Sequence, residues 1–344
     1  LSYKPDSTFF NFNESLNISN TAFGFAIGTQ MLMWGLTGPI FGAIADRFGG
    51  HVAIISSFLF YTLGVYFLYS GPNTGIFFQI HLGLLIGIGL GGTAISIPMS
   101  IVGKHFPLSN RTIAMSIVTA VGSFGYFISP IFTNYSLIEY GWNYTLFLFS
   151  LFLVTGLIAA YFVRSPKENE IVENRSDQSF KEALSEAFKS KSYILLVSGF
   201  FVCGFHITLV GTHVPKYVID RGLEDWTAAA ILSLIGLFNI FGSLLSGYLS
   251  TKISKKVLLS AIYLLRGFSI AFFIFTPPSV LSAFIFGASF GFLWLSTVPA
   301  TSGIVAHLFG TKYLGLLYGI VFLSHQIGSF SVSYTHLRAH ETAT

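Results

Sequence analysis

His206 and His213 stand seven residues apart in one apolar stretch, His325 and Gln326 are adjacent in another, and Arg266 lies ten residues beyond Lys256 in a third. Seven residues are two helical turns, so the two histidines share one face of a helix. Imidazole exchanges a proton near neutrality, and a histidine or a guanidinium inside a membrane can hold a carboxylate or relay protons. Arg266 also has a second reading, as a structural cation bonded to carbonyls or polar side chains. A charge at the centre of a spanning helix costs about 2.5–3.5 kcal/mol on insertion scales, so either role must return that energy. Trp34, Asn239, Trp294 and Thr297 are further polar or amphipathic groups in apolar surroundings. They suit either cavity lining or hydrogen bonding between helices. The single cysteine, Cys203, excludes a disulfide framework and a cysteine-based metal centre. No H-E-x-x-H, paired-carboxylate or nucleophile set falls inside an apolar run, so no metal, cofactor or catalytic residue is expected and an enzyme is disfavoured.

The elements that position these groups are membrane helices. Of 344 residues, 53% are hydrophobic and 9% are charged, against roughly 25% charged in soluble domains. A net charge of +4 without a basic, aromatic-studded stripe speaks against nucleic acid as a partner. Ten runs have the length a bilayer requires, near 22–45, 52–69, 76–102, 112–133, 144–163, 193–215, 227–250, 257–275, 280–308 and 314–330. With the 46–51 loop inside the cell, 13 of the 18 Lys and Arg residues fall on the inner side, as the positive-inside rule requires. None of the 14 acidic residues lies deep in a span, which favours an anionic or neutral solute over a cation. The most charged stretch, 164–192, divides the runs five and five. Within it Phe180, Ala183, Leu184, Ala187 and Phe188 have helical spacing, which predicts a short amphipathic helix or a solvated linker.

The two halves repeat. Gly42 to Gly49 aligns with Gly247 to Ser254 at an offset of 205, and Ile101-Val102 and Ile117-Val118 align with Ile304-Val305 and Ile320-Val321 at 203. Both halves have the same orientation, which predicts a parallel repeat around a central site.

Gly42-Ala-Ile-Ala-Asp46-Arg47-Phe48-Gly49 resembles the loop motif G-x-x-x-D-R-x-G-R-R of the major facilitator superfamily, with Gly50 and His51 in place of the last two arginines. The runs starting at Thr21, Gly199, Leu234 and Thr297 resemble its bacterial monocarboxylate-carrier-like branch, which includes oxalate:formate exchangers. The resemblance covers 13–330. It implies an all-α membrane protein with two pseudo-symmetric helix bundles and about ten of twelve transmembrane helices, numbers 2 to 11. The expected division is an N-terminal bundle over 1–163, a cytoplasmic loop over 164–192 and a C-terminal bundle over 193–331. The tail 332–344 reads as translated adapter sequence, and the chain as a fragment lacking most of helix 1 and all of helix 12.

The resemblance further implies that the loop holding Gly42, Asp46, Arg47 and Gly49, with Lys252 in the second half, closes an inner gate. The Asp46 carboxylate would meet the positive end of the helix beginning near Gly310–Leu314. Helix 7, with His206 and His213, would line the cavity, and some relatives bind substrate through a basic residue in helix 11, where His325 lies. The expected activity is secondary transport of a small organic anion, such as a monocarboxylate, with protons or a counter-anion. The alternative is efflux of amphipathic neutral or anionic compounds. A monomer in the bacterial cytoplasmic membrane is expected.

Overall fold

The computed structural model describes residues 20–72, 74–162 and 178–341. Eleven helices account for most of them: α1 (Asn20–Phe48), α2 (Gly50–Ser70), α3 (Gly75–His105), α4 (108–140), α5 (142–161), α6 (Phe180–Lys189), α7 (Lys191–Asp220), α8 (Asp225–Leu249), α9 (Lys255–Phe275), α10 (Val280–Phe309) and α11 (Leu314–Glu341). No strand occurs among the described residues. Helix is the form in which a backbone in lipid satisfies all its own polar groups.

All ten apolar runs are helical, but nine helices among the described residues are both long and apolar enough to span a membrane. The correction concerns α1. It has 29 residues, yet Thr29, Gln30, Trp34 and Thr37 dilute its apolar character. The run expected to start at 144 is helical from the turn onward. The helical stretch Leu108–Tyr161 reverses at Gly141, whose φ of 76° is left-handed. Thr145 Oγ1 donates to the Gly141 carbonyl at 2.8 Å and lies 2.8 Å from Ser136 Oγ, which ties the two arms together. α11 does not stop where the apolar pattern ends near Phe330. Its backbone stays helical through Glu341, a segment with no Gly or Pro to end it.

Two long helices are interrupted. α3 contains a π-helical stretch, Gln79–Leu85, and breaks after Thr93. α10 unwinds between Leu293 and Thr297. Gly87 and Gly91 of α3 lie directly against α1, where close approach of the two backbones leaves no room for a side chain.

The helices before and after the central stretch meet along two seams, α1 on α11 and α4 on α8. A large core joins Met99, Met115, Phe200, Cys203, Val305, Leu317, Tyr318 and Phe322 across them. The amphipathic segment of the central stretch is α6; residues 163–177 lie outside the described residues. α6 opens with a reciprocal cap between Ser179 and Glu182 and buries Ala183 and Ala187 against α7. The Ser179 amide and hydroxyl hold the Glu182 carboxyl below its usual range.

Candidate functional site

The first cluster lies at the inner, basic end, where α1 crosses the start of α11. Gly42 makes the crossing possible: a Cβ there would fall 2.3 Å from the Gly315 carbonyl oxygen. One turn on, Asp46 reaches the helix N-terminus. Its Oδ1 accepts from the Gly315 amide at 3.2 Å and its Oδ2 from the Leu316 amide at 2.8 Å. These are amides that a helix start leaves unsatisfied, at the positive end of its dipole. Lys104 Nζ binds Oδ1 at 2.6 Å and Ser100 Oγ donates to it at 3.2 Å. The Asp46 side chain is 2% exposed, so the carboxylate is buried with a cation and three further donors.

The other residues of the loop have different surroundings. Arg47 is exposed and lies over the Phe48 ring. Gly49, with φ of 97°, makes the turn into α2. Lys252, at the matching loop of the second half, lies over the Tyr248 ring. The repeat extends to the crossing: a Cβ on Gly247 would fall 2.1 Å from Ser116 Oγ of α4. The carboxylate does not repeat, because Thr251 stands in its place.

The central stretch fastens to the same end of α11. Lys312 Nζ and the Tyr313 hydroxyl both donate to the Gln178 carbonyl, at 2.9 and 3.0 Å, and Phe180 packs edge-on against Tyr313.

The second cluster lies at mid-depth. Arg266 is fully buried. It binds the break in α10, donating from Nε to Leu293 O at 3.0 Å and from Nη2 to Leu293 O at 2.6 Å, to Trp294 O and to Thr297 Oγ1 at 3.4 Å. Nη1 donates to Cys203 Sγ at 3.1 Å. Of its two roles, the structural bonding to carbonyls is the one the contacts display. Asn239 serves the same break. Its Oδ1 accepts from the Leu295 amide at 2.8 Å, while its Nδ2 donates to Ser123 Oγ of α4 at 2.8 Å. Trp294 packs against Tyr126 and Phe290. Arg266, Asn239, Trp294 and Thr297 therefore form one assembly around an unwound turn, whose backbone Arg266 and Asn239 hold.

A stack of rings faces that assembly. Trp34 of α1 lies on Phe322 at 5.3 Å, Phe322 is parallel to His325 at 5.3 Å, and His325 lies 5.2 Å from Phe200 of α7. His325 Nδ1 is 3.2 Å from Gln326 Oε1. Several buried atoms here have no hydrogen-bond partner among the described residues: Trp34 Nε1, Gln326 Nε2, His206 Nδ1, Thr301 Oγ1 and the Tyr318 hydroxyl. Buried polar atoms are normally bonded, so a group of orphans marks a place for a polar guest. His213 sits half-buried about 10 Å along the α7 axis from His206, beside Pro215.

Sequence reasoning did not single out Lys104, Ser123, Tyr318 or Cys203 as partners. Lys104 meets Asp46 across 58 residues and Cys203 meets Arg266 across 63, and no local spacing encodes such pairs. Among the described residues no group of three or more His, Cys, Asp or Glu is placed to hold a metal ion.

A family profile described as the Major Facilitator Superfamily matches residues 7–333. An uncharacterized MFS-type transporter of Bacillus subtilis, YcxA, is 24% identical over 323 residues, covering 89% of this chain and 76% of its own length. Monocarboxylate transporter 6 of Mus musculus is 25% identical over 259 residues, covering 67% of this chain and 54% of that protein. A crystal structure of the E. coli fucose:proton symporter FucP superposes with a TM-score of 0.72, covering 94% of this chain and 85% of that one at 15% identity, which is a likeness of fold.

Proposed function

The chain belongs to the major facilitator superfamily, a multi-pass membrane transporter rather than an enzyme, and from that premise we propose that it carries a small organic anion, such as a monocarboxylate, by alternating access. Residues 1–163 and 193–331 act as the two rocking bundles and 164–192 joins them on the inner side of a bacterial cytoplasmic membrane. The carrier works as a monomer.

One observation carries the anion class. Trp34 Nε1 and Gln326 Nε2 are hydrogen-bond donors buried without an acceptor among the described residues, and indole N–H has no other capacity. An ionised carboxylate, which only accepts, completes them. Arg266 adds a positive field with no carboxylate among its hydrogen-bond partners. The name of the mouse relative, a monocarboxylate transporter, supports the same class, and that of FucP supports coupling to protons. His206 and His325 border the site, and His213 lies on the route outward. Asp46 on the α11 N-terminus is the inner gate, with Gly42 and Gly49 shaping its loop and Arg47 and Lys252 at its margin.

The test is uptake of radiolabelled lactate, pyruvate and oxalate into proteoliposomes, with and without an inward proton gradient. Trp34→Phe or Gln326→Leu should weaken half-saturation about tenfold, the worth of one buried hydrogen bond to a charged group. Uptake of none of the three acids would refute the simple-carboxylate reading. It would favour export of an amphipathic neutral or anionic compound, for which the Trp34–Phe322–His325–Phe200 stack offers apolar faces.

A further inference from the structure

Arg266 carries a full charge into the middle of α9, and its acceptors are two carbonyls, a hydroxyl and a thiol. The carbonyls of Leu293 and Trp294 end the first half of α10, where the helix dipole supplies about half a negative charge. Thr297 begins the second half, whose N-terminus returns about half a positive charge beside it. Neither helix end carries a whole charge, so the guanidinium has no formal counter-anion among these backbone and hydroxyl partners. Cys203 Sγ, 3.1 Å away and fully buried, is the one acceptor of Arg266 able to become an anion.

The other titratable groups around this thiol are His206, one turn along α7, Tyr263 of α9, and Tyr318 and His325 of α11. The Tyr318 hydroxyl is fully buried without a hydrogen-bond partner among the described residues. A proton added to either imidazole would place a second cation beside Arg266. A proton added to a thiolate removes a charge instead. Among the described residues no acidic side chain lies deep in a span to compete for the task.

We propose that Cys203 is the proton site of the carrier. It rests as a thiolate against Arg266. Protonation from the outer solution, RS⁻ + H⁺ → RSH, releases the guanidinium field to draw in the substrate anion. Loss of that proton to the inner solution restores the pair and expels the anion, so proton and anion move together. The substrate step rests on the anion-carrier reading; the thiolate does not.

The far-ultraviolet thiolate absorbance of the protein in lipid nanodiscs, titrated with pH, tests this directly. Cys203 is the single cysteine, so a thiolate band in the unmutated protein belongs to it, and Cys203→Ser supplies the blank. A thiolate band that belongs to Cys203 is expected at neutral pH and should vanish reversibly on acidification. A protein that shows no such band at neutral pH overturns the proposal. In proteoliposomes, Cys203→Ser with an unchanged melting midpoint should lose lactate accumulation driven by an inward proton gradient. Gradient-driven accumulation by Cys203→Ser would also overturn it. Should the unmutated protein move no lactate, the anion reading fails and the absorbance titration alone decides this one.

Discussion

Replacing Asp46 by Asn separates the gate from the stability of the parts it joins. The carboxylate has two kinds of partner. Lys104 and Ser100 belong to α3, on the same side of the α1–α11 seam as Asp46, and their bonds persist whether the seam is open or closed. The Gly315 and Leu316 amides belong to α11, and their bonds exist only when it is closed. Hydrogen bonds to an ionised group contribute about 1.5–3 kcal/mol each, and charge-assisted bonds are roughly twice as strong as neutral ones. Asn keeps one carbonyl oxygen and loses the charge that the helix N-terminus favours. The closed form should therefore lose about 2 kcal/mol, roughly thirtyfold in the closed-to-open ratio. Spin labels at Ser109 and Thr251, both exposed at the inner end on opposite sides of the α4–α8 seam, report that ratio by pulsed electron–electron distance measurement. Asp46→Asn should move population to longer distances. Arg47→Gln, which alters an exposed side chain lying over Phe48, should leave the distribution in place. A distribution unchanged by Asp46→Asn, or changed equally by Arg47→Gln, would refute the assignment of the closing energy to this carboxylate.

Gly42→Ala places a methyl group 2.3 Å from a backbone oxygen of α11; the same labels should show opening, and full closure would count against the crossing as the gate contact. Gly267→Ala meets nothing within 4 Å inside α9, so it should raise thermal stability by about 0.5–1 kcal/mol, the usual difference between Gly and Ala in a helix interior; a lower melting temperature would contradict the open surroundings. Arg266→Lys replaces a planar fork that holds the Leu293 and Trp294 carbonyls by a point charge, so a loss of about 3 kcal/mol is expected from thermal unfolding in detergent, against none if the fork is idle. Glu182 has a folded-state pKa below its unfolded value, so the cap it makes with Ser179 is complete above the unfolded value and weakens as pH falls through the folded one. Amide exchange at the start of α6 should accelerate in acid, and Ser179→Ala should accelerate it roughly fivefold at neutral pH; pH-independent protection would rule the cap out.

The sequence by itself determined the element list and the family. Apolar runs of bilayer length can only be helices, because lipid offers no partner to an unpaired backbone group. The basic residues set their orientation, and the Gly42–Gly49 motif with its repeat at Gly247 pointed to the superfamily. The partial apolarity of α1 was also written in Gln30, Trp34 and Thr37, but length masked it. Three things were decided by tertiary structure alone. Arg266 read as a structural cation in preference to an anion ligand, but which carbonyls it bonds came only with the unwound turn of α10 beside it, because a helix break exposes carbonyls that local sequence does not announce. Asn239, Trp294 and Thr297 were polar candidates scattered over 58 residues, and only the fold showed that they surround the same turn. Asp46 acquired Lys104, Gly315 and Leu316, and Cys203 acquired Arg266, across separations of 58 to 270 residues. The physical reason is the same in each case. Helical periodicity reports which face a residue occupies, whereas the energy of a buried charge depends on which atoms of other helices lie within hydrogen-bonding distance, and that is fixed only when the helices pack.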